Sequence, residues 1–361
     1  MRHPLPSVEQ FVQGIRAADR VLLGQAITLV ESARAEHQAL AREIIAQLLS
    51  PPLTPSPPLT PSHPLTPSHP LTLSHPLTLS PSHPLTPLRL AVTGAPGVGK
   101  STFIEALGMH LVEQGKRPAV LAIDPSSAVS GGSILGDKTR MERLSASERA
   151  FIRPSPSGDS LGGVARKTRE AIVLVEAAGF DPIIIETVGV GQSETAAQRM
   201  TDLFLLLLLP GAGDDLQGIK RGIVEMADLL AVNKSDGERM KLANQARAHY
   251  LNAAHLFPPK PSGWQPRVMA CSALENTGIA ELWEAISEFK NHTLANGFFH
   301  ENRRQQARYW LEDALETGLK SMFYKNPAAQ EKRAELEPEV LAGRISPTAA
   351  AALILGAFEE L

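Results

Sequence analysis

Leu88-Arg89-Leu90-Ala91-Val92-Thr93-Gly94-Ala95-Pro96-Gly97-Val98-Gly99-Lys100-Ser101-Thr102 decides the fold. Leu88–Thr93 is a short apolar run of strand type, and Gly94–Ser101 matches G-x-x-x-x-G-K-[ST]. Glycine lets backbone amides turn inward around an anion, and the helix that follows adds its positive N-terminal end. Lys100 is expected to reach the β- and γ-phosphates of a nucleotide, Ser101 to ligate Mg²⁺, and Thr102 to contact the α-phosphate. The whole loop, Gly94, Ala95, Pro96, Gly97, Val98, Gly99, Lys100, Ser101 and Thr102, is therefore the candidate phosphate site.

Outward from this loop the pattern alternates. Strand candidates are Leu88–Thr93, Ala119–Ile123, Pro182–Glu186, Leu203–Leu209, Leu229–Val232 and Val268–Cys271, with helical stretches between most of them. That alternation predicts an α/β fold, a mostly parallel sheet with helices on both faces. Ligands in such sheets bind at the carboxyl ends of strands. Asp124 and Glu186 each stand at such an end, so both are candidates for Mg²⁺ or water contacts. Asn233-Lys234-Ser235-Asp236 follows another strand. The Asp236 carboxylate matches the N1 and N2 donors of guanine, a pair that adenine lacks. Asn233 suits the purine edge, and the Lys234 stem can lie over the ring. Ser272-Ala273-Leu274, after the last strand, fits a loop whose backbone amide reads guanine O6. GTP or GDP is thus the expected nucleotide.

The remaining sequence bounds the setting. A net charge of −3 points to no nucleic acid and no anionic membrane. The single cysteine, Cys271, rules out an intrachain disulfide and a Cys-rich zinc site. The first thirty residues lack an export-signal pattern, and the longest apolar run, Leu203–Leu209, is far short of the roughly 20 residues of a membrane span. A cytoplasmic protein is expected. Residues 1–50 read as helical, with apolar series Val21, Leu22, Ala26, Leu29, Val30 and then Leu40, Ile44, Ile45, Leu48 that suit packing on a larger domain. Residues 51–87 repeat every six residues in frames such as Ser62-His63-Pro64-Leu65-Thr66-Pro67 and read as an extended or disordered linker. Residues 88–290 form the nucleotide domain, and 291–361 return to helix. There Leu311, Leu315, Leu319 and Phe323 recur every four residues. Core packing and an oligomer interface both fit that stripe.

Longer signatures accompany these motifs. They are Asp124-Pro125-Ser126-Ser127, the run from Gly131 to Met141, Glu186-Thr187-Val188-Gly189-Val190-Gly191-Gln192-Ser193-Glu194, and Gly213-Asp214-Asp215-Leu216-Gln217-Gly218-Ile219-Lys220. With them the chain resembles the MeaB/ArgK-type GTPases, the group that includes the methylmalonic aciduria type A protein. The resemblance spans about residues 1–50 and 88–361. The proline repeat departs from it, since the family has a short connection there.

The resemblance implies a P-loop GTPase with an N-terminal helical extension and a C-terminal helical dimerisation arm, hence a homodimer. It implies a nucleotide-binding hydrolase that acts as a metallochaperone. The partner is a B12-dependent acyl-CoA mutase, chiefly methylmalonyl-CoA mutase, to which GTP turnover gates adenosylcobalamin delivery and which it protects. Cobalamin enters only through that partner. Asp137 lies by resemblance in the first switch and approaches Mg²⁺. Glu186 replaces the usual aspartate of the second switch. Asp214, Gln217 and Lys220 fall in a third switch that answers the mutase. Lys100, Asp124, Glu186 and Lys220 are the catalytic candidates; Ser101, Asp124, Asp137 and Glu186 are the metal candidates. No glutamine directly follows Gly189, so slow intrinsic turnover with a partner completing the site is expected. The alternative is a kinase or ATPase linked to basic amino-acid transport.

Overall fold

Apolar runs of four to six residues, too short for helices, become the strands of one sheet. The computed structural model describes residues 5–50, 86–123, 141–154, 161–187, 192–211 and 221–359. Among them are β1 (Arg89–Gly94), β2 (Ala119–Ile123), β3 (Phe151–Arg153), β4 (Ile183–Thr187), β5 (Leu203–Leu208), β6 (Leu229–Val232) and β7 (Arg267–Ala270). Their order is β3-β2-β4-β1-β5-β6-β7, and every pairing is parallel. Every residue of β1 and β5 is buried, as strands covered on both faces require. The strand ends differ from the sequence reading by about one residue. β7 starts at Arg267 and stops before Cys271, and β5 stops before Leu209. The sequence reading missed β3, a three-residue strand at the sheet edge too short for any alternation to register.

One device recurs where the strands begin. Asp181, Asp202 and Asp228 stand just ahead of β4, β5 and β6. Asp181 Oδ1 accepts the Leu88 amide at 2.9 Å, Asp202 Oδ2 the Arg89 amide at 2.8 Å, and Asp228 Oδ2 the Phe204 amide at 2.9 Å. Each carboxylate takes up an amide at the mouth of a neighbouring strand, where the ladder runs out and water is excluded. Lys260 Nζ donates to Asp228 Oδ1 at 2.7 Å and to the Met226 carbonyl at 2.7 Å. Burial pushes the Asp228 carboxyl above its usual range; the Lys260 charge and the Phe204 amide pull the other way.

The helices follow from the connections. α4 (Lys100–Glu113) runs from β1 toward β2, whereas the helix Leu161–Ala177, α5, returns from β3 to β4. The direction across the sheet reverses between them, so right-handed crossovers set them on opposite faces. The first three helices, α1 (Val8–Arg16), α2 (Arg20–Glu31) and α3 (Ala35–Leu49), cover α5. Ser7 starts α1 with a reciprocal cap: its Oγ accepts the Gln10 amide, and Gln10 Oε1 accepts the Ser7 amide. Leu23, Ala26, Ile27, Leu29 and Val30 are buried from α2, and Ala41 and Ile44 from α3. Val21 departs from the expected face: it is 68% exposed. It lies in the first turn after the Asp19 cap, on the face opposite the stripe that Leu23 and Ile27 define. Glu31 holds Arg153 at the end of β3 through an ion pair. The outer layer is thus tied to the sheet.

The chain forms two units, Met1–Phe298 and Phe299–Leu361. The second is built from the long helix Phe298–Lys325, then Pro327–Leu341 and Pro347–Glu359. Asn326 caps the middle helix through Ala329, ahead of Pro327. Phe323 and Phe358 meet edge to face at 5.7 Å. Leu311, Leu315 and Leu319 are 58%, 52% and 59% exposed, so core packing does not account for that stripe. The proline repeat over 51–85 lies outside the described residues. Among the described residues, no helix is long and apolar enough to cross a membrane.

The buried pair at the strand mouths gives a stability test. Lys260→Met strands a buried carboxylate and is expected to cost roughly 3–5 kcal/mol near neutral pH, read by urea denaturation. Because burial favours the protonated Asp228, that deficit should shrink as pH falls toward the carboxylate range. A pH-independent deficit would mean that Lys260 acts through packing alone.

Candidate nucleotide-binding site

The phosphate loop hangs between β1 and α4 as its motif requires. Gly94 ends the buried strand with φ +153°, and a Cβ there would lie 2.6 Å from the Leu207 carbonyl oxygen. Gly99 opens α4 with φ +92°, and a Cβ there would lie 2.9 Å from Asn233 Nδ2. Both positions demand glycine. Ala95, Pro96 and Gly97 form the exposed crest, Val98 is buried beneath it, Ser101 is half-buried and Thr102 is exposed. Lys100 Nζ donates to the Gly94 carbonyl at 2.8 Å and to Ala95 at 3.3 Å. Its charge is therefore held over the loop. Burial draws the Lys100 ammonium below the usual lysine value, opposed by the charges of Glu186 and Glu194.

The acidic side of the site comes from β4. Register places Glu186 beside Val92 of β1. Ser101 Oγ donates to Glu186 Oε1 at 3.1 Å, so two of the four expected metal-site residues are brought together. A hydroxyl and a carboxylate are hard oxygen donors of the kind Mg²⁺ takes. The other two, Asp124 and Asp137, lie outside the described residues, as do Asp214, Gln217 and Lys220. Behind Glu186, Thr187 Oγ1 donates to Thr93 Oγ1 at 2.7 Å, tying β4 to β1. The sequence reading gave no role to Glu194, which is 1% exposed beside Ser193 Oγ at 3.2 Å and sits close enough to act on Lys100. Its place in the quoted signature was the only sign of it.

The base-reading residues gather at the ends of β6 and β7. Asn233 is 1% exposed. Its Nδ2 donates to the Val98 carbonyl at 2.9 Å, and its Oδ1 accepts the Ala273 amide at 3.1 Å. Lys234 has φ +58°, and its Nζ reaches the Gly97 carbonyl at 2.7 Å. The stem thus runs over the phosphate loop. Ser272 Oγ donates to Asp236 Oδ2 at 2.6 Å and accepts the Glu275 amide at 3.2 Å. Leu274 between them turns outward, 83% exposed. Two motifs more than 130 residues apart are joined at Asn233–Val98 and Lys234–Gly97. The sequence reading used Cys271 to exclude a disulfide and a Cys-rich zinc site and to end a strand; the structure buries it at the head of this loop.

Comparison with known proteins places the chain. Residues 80–328 match the family described as Methylmalonyl Co-A mutase-associated GTPase MeaB. The mouse protein named methylmalonic aciduria type A homolog, mitochondrial, is 43% identical over 98% of this chain and 80% of its own length. The Escherichia coli K12 protein named GTPase ArgK is 43% identical over 89% of this chain and 87% of its own. A solved structure described as a LAO/AO transport system kinase is 34% identical, with a TM-score of 0.70 over 99% of this chain and all of that one.

The close approach at Gly99 can be tested directly. Gly99→Ala forces a left-handed alanine against Asn233, a strain of about 1–3 kcal/mol. Titration with a fluorescent guanine nucleotide is expected to show affinity weakened roughly 5- to 150-fold, the equivalent of that strain. Unchanged affinity would mean that the loop relaxes away from Asn233.

Proposed function

The chain belongs to the MeaB family of methylmalonyl-CoA mutase-associated GTPases, and from that premise we propose that it is a partner-gated GTP hydrolase serving a B12-dependent acyl-CoA mutase. The observation that carries this reading is the joined site, in which Asn233 and Lys234 of the guanine motif bond the Val98 and Gly97 carbonyls of the phosphate loop. In this reading the amides of Gly94–Thr102 and the Lys100 ammonium bind the phosphates, while Asp236 and the Ser272-Ala273-Leu274 loop select guanine. Phosphoryl transfer needs positioning and charge neutralisation more than covalent chemistry. Lys100 supplies a fixed positive charge. Ser101 and Glu186, with Asp124 and Asp137, would hold Mg²⁺, which neutralises phosphate charge when bound. In this reading Glu186, bonded to Ser101, would also orient the attacking water.

The partner is proposed to be methylmalonyl-CoA mutase, with GTP turnover gating adenosylcobalamin delivery and protecting the mutase. Lys220 is proposed to complete the site on mutase binding, which accounts for slow turnover alone. Supporting this are the family's name and the mouse relative's name. The single buried cysteine suits a reducing compartment such as the cytoplasm. A homodimer is proposed through the exposed Leu311, Leu315 and Leu319 stripe, which Met322 extends at 62% exposure. The competing reading, a kinase or ATPase of basic amino-acid transport, is favoured by the description of the similar solved structure. The Asn233–Asp236 motif opposes it, since that motif suits guanine.

The decisive assay measures hydrolysis of GTP, with ATP as control, before and after adding methylmalonyl-CoA mutase. GTP-selective turnover that rises with mutase is expected, and Lys220→Ala should lose the rise while keeping basal turnover. A preference for ATP would bring the transport reading forward. For the dimer, Leu315→Glu with Leu319→Glu should halve the mass seen by light scattering. A dimer that survives both changes would place the interface elsewhere.

A further inference from the structure

An asparagine that reads a base must present its amide one way round, and a half-turn about its last bond exchanges donor for acceptor. At Asn233 that choice is fixed by opposite demands. The Val98 carbonyl requires a donor, which Nδ2 supplies at 2.9 Å. The Ala273 amide requires an acceptor, which Oδ1 supplies at 3.1 Å. A third group stands on the acceptor side. Cys271 Sγ lies 3.7 Å from Asn233 Oδ1, within reach of an S–H donor.

The backbone of Cys271 embraces the same motif. Its amide donates to the Val232 carbonyl at 2.9 Å, the residue before Asn233. Its carbonyl accepts the Ser235 amide at 3.0 Å, the residue before Asp236. The next residue, Ser272, bonds Asp236 at 2.6 Å and pairs with Thr277 through both peptide groups. Behind it, a Cβ on Gly278 would lie 2.5 Å from the Ala270 oxygen and 3.2 Å from Cys271 Cβ, so only glycine fits against the Cys271 backbone there. Cys271 is 2% exposed, and burial pushes its thiol up to about 12, so the S–H proton is present at any physiological pH.

We infer that Cys271 is a positioning residue for base recognition: its S–H fixes the Asn233 amide, and its peptide groups hold the Asn233–Asp236 loop in register with Ser272. This rests on the guanine reading above. A flipped Asn233 would set its NH₂ against two donors, the thiol and the Ala273 amide. The thiol stands on the Ala273 side of the Asn233 amide, so its loss falls first on the purine end of the site.

The test uses the full chain, titrated with mant-GDP and with mant-ADP, alongside the melting temperature. Cys271→Val removes the donor and leaves a slightly larger apolar side chain. It is expected to weaken mant-GDP by roughly three- to tenfold, within the range of one hydrogen bond, and mant-ADP by less. Cys271→Ser keeps a donor and should stay within about twofold of the parent. Cys271→Ala removes the donor without added bulk, should lose as much as valine, and carries the test if the branched side chain disturbs packing. Valine and alanine variants that bind mant-GDP like the parent, or a serine variant that loses as much as they do, would overturn the role of Cys271 alone. A parent chain that binds both nucleotides equally would overturn the guanine reading, and this inference with it.

Discussion

The Asn233 side chain is the constraint on which the site depends. It is buried, so both ends of its amide must be satisfied within the protein. One end holds the phosphate loop at Val98 and the other holds the last loop at Ala273. A single residue therefore fixes the distance between the place that reads charge and the place that reads the base. Losing either bond would leave a polar atom stranded in a water-free spot, a larger cost than the bond's own net worth. The glycine at 99 follows from the same contact, because any Cβ there would press on Asn233 Nδ2.

The sheet makes such a contact possible. In an all-parallel arrangement every strand points its carboxyl end the same way, so the loops after β1, β4, β6 and β7 collect along one edge. The opposite edge has a different task. There Asp181, Asp202 and Asp228 take up amides at the strand mouths, and Lys260 balances Asp228. One edge is sealed by side chains that bond the backbone. The other leaves Ala95, Pro96 and Gly97 exposed at the crest of the phosphate loop.

Much of this was legible in the residues. Continuous apolar runs such as Leu203–Leu208 announce doubly covered strands, and six of the seven strands declared themselves within about a residue. The phosphate loop and the guanine motif are local strings whose chemistry is set by residue type and spacing. β3 was silent because three residues cannot carry a period. Val21 misled because it stands two positions before Leu23, which turns it to the helix face opposite the buried stripe. The leucines at 311, 315 and 319 have helical spacing whether they face a core or a partner, so only their exposure separates the two.

The sequence by itself determined the fold class, the nucleotide loop and the preference for guanine, because each is written in contiguous residues and short-range sterics. Tertiary structure alone decided what joins those strings. That Val98 bonds Asn233, that Ser101 meets Glu186, and that a cysteine 38 positions downstream donates to Asn233 are facts of strand order. The sheet order places β1 between β4 and β5 and sets β7 beside β6. The physical reason is that a hydrogen bond depends on position in space, and separation along the chain carries no record of it until the strands have paired.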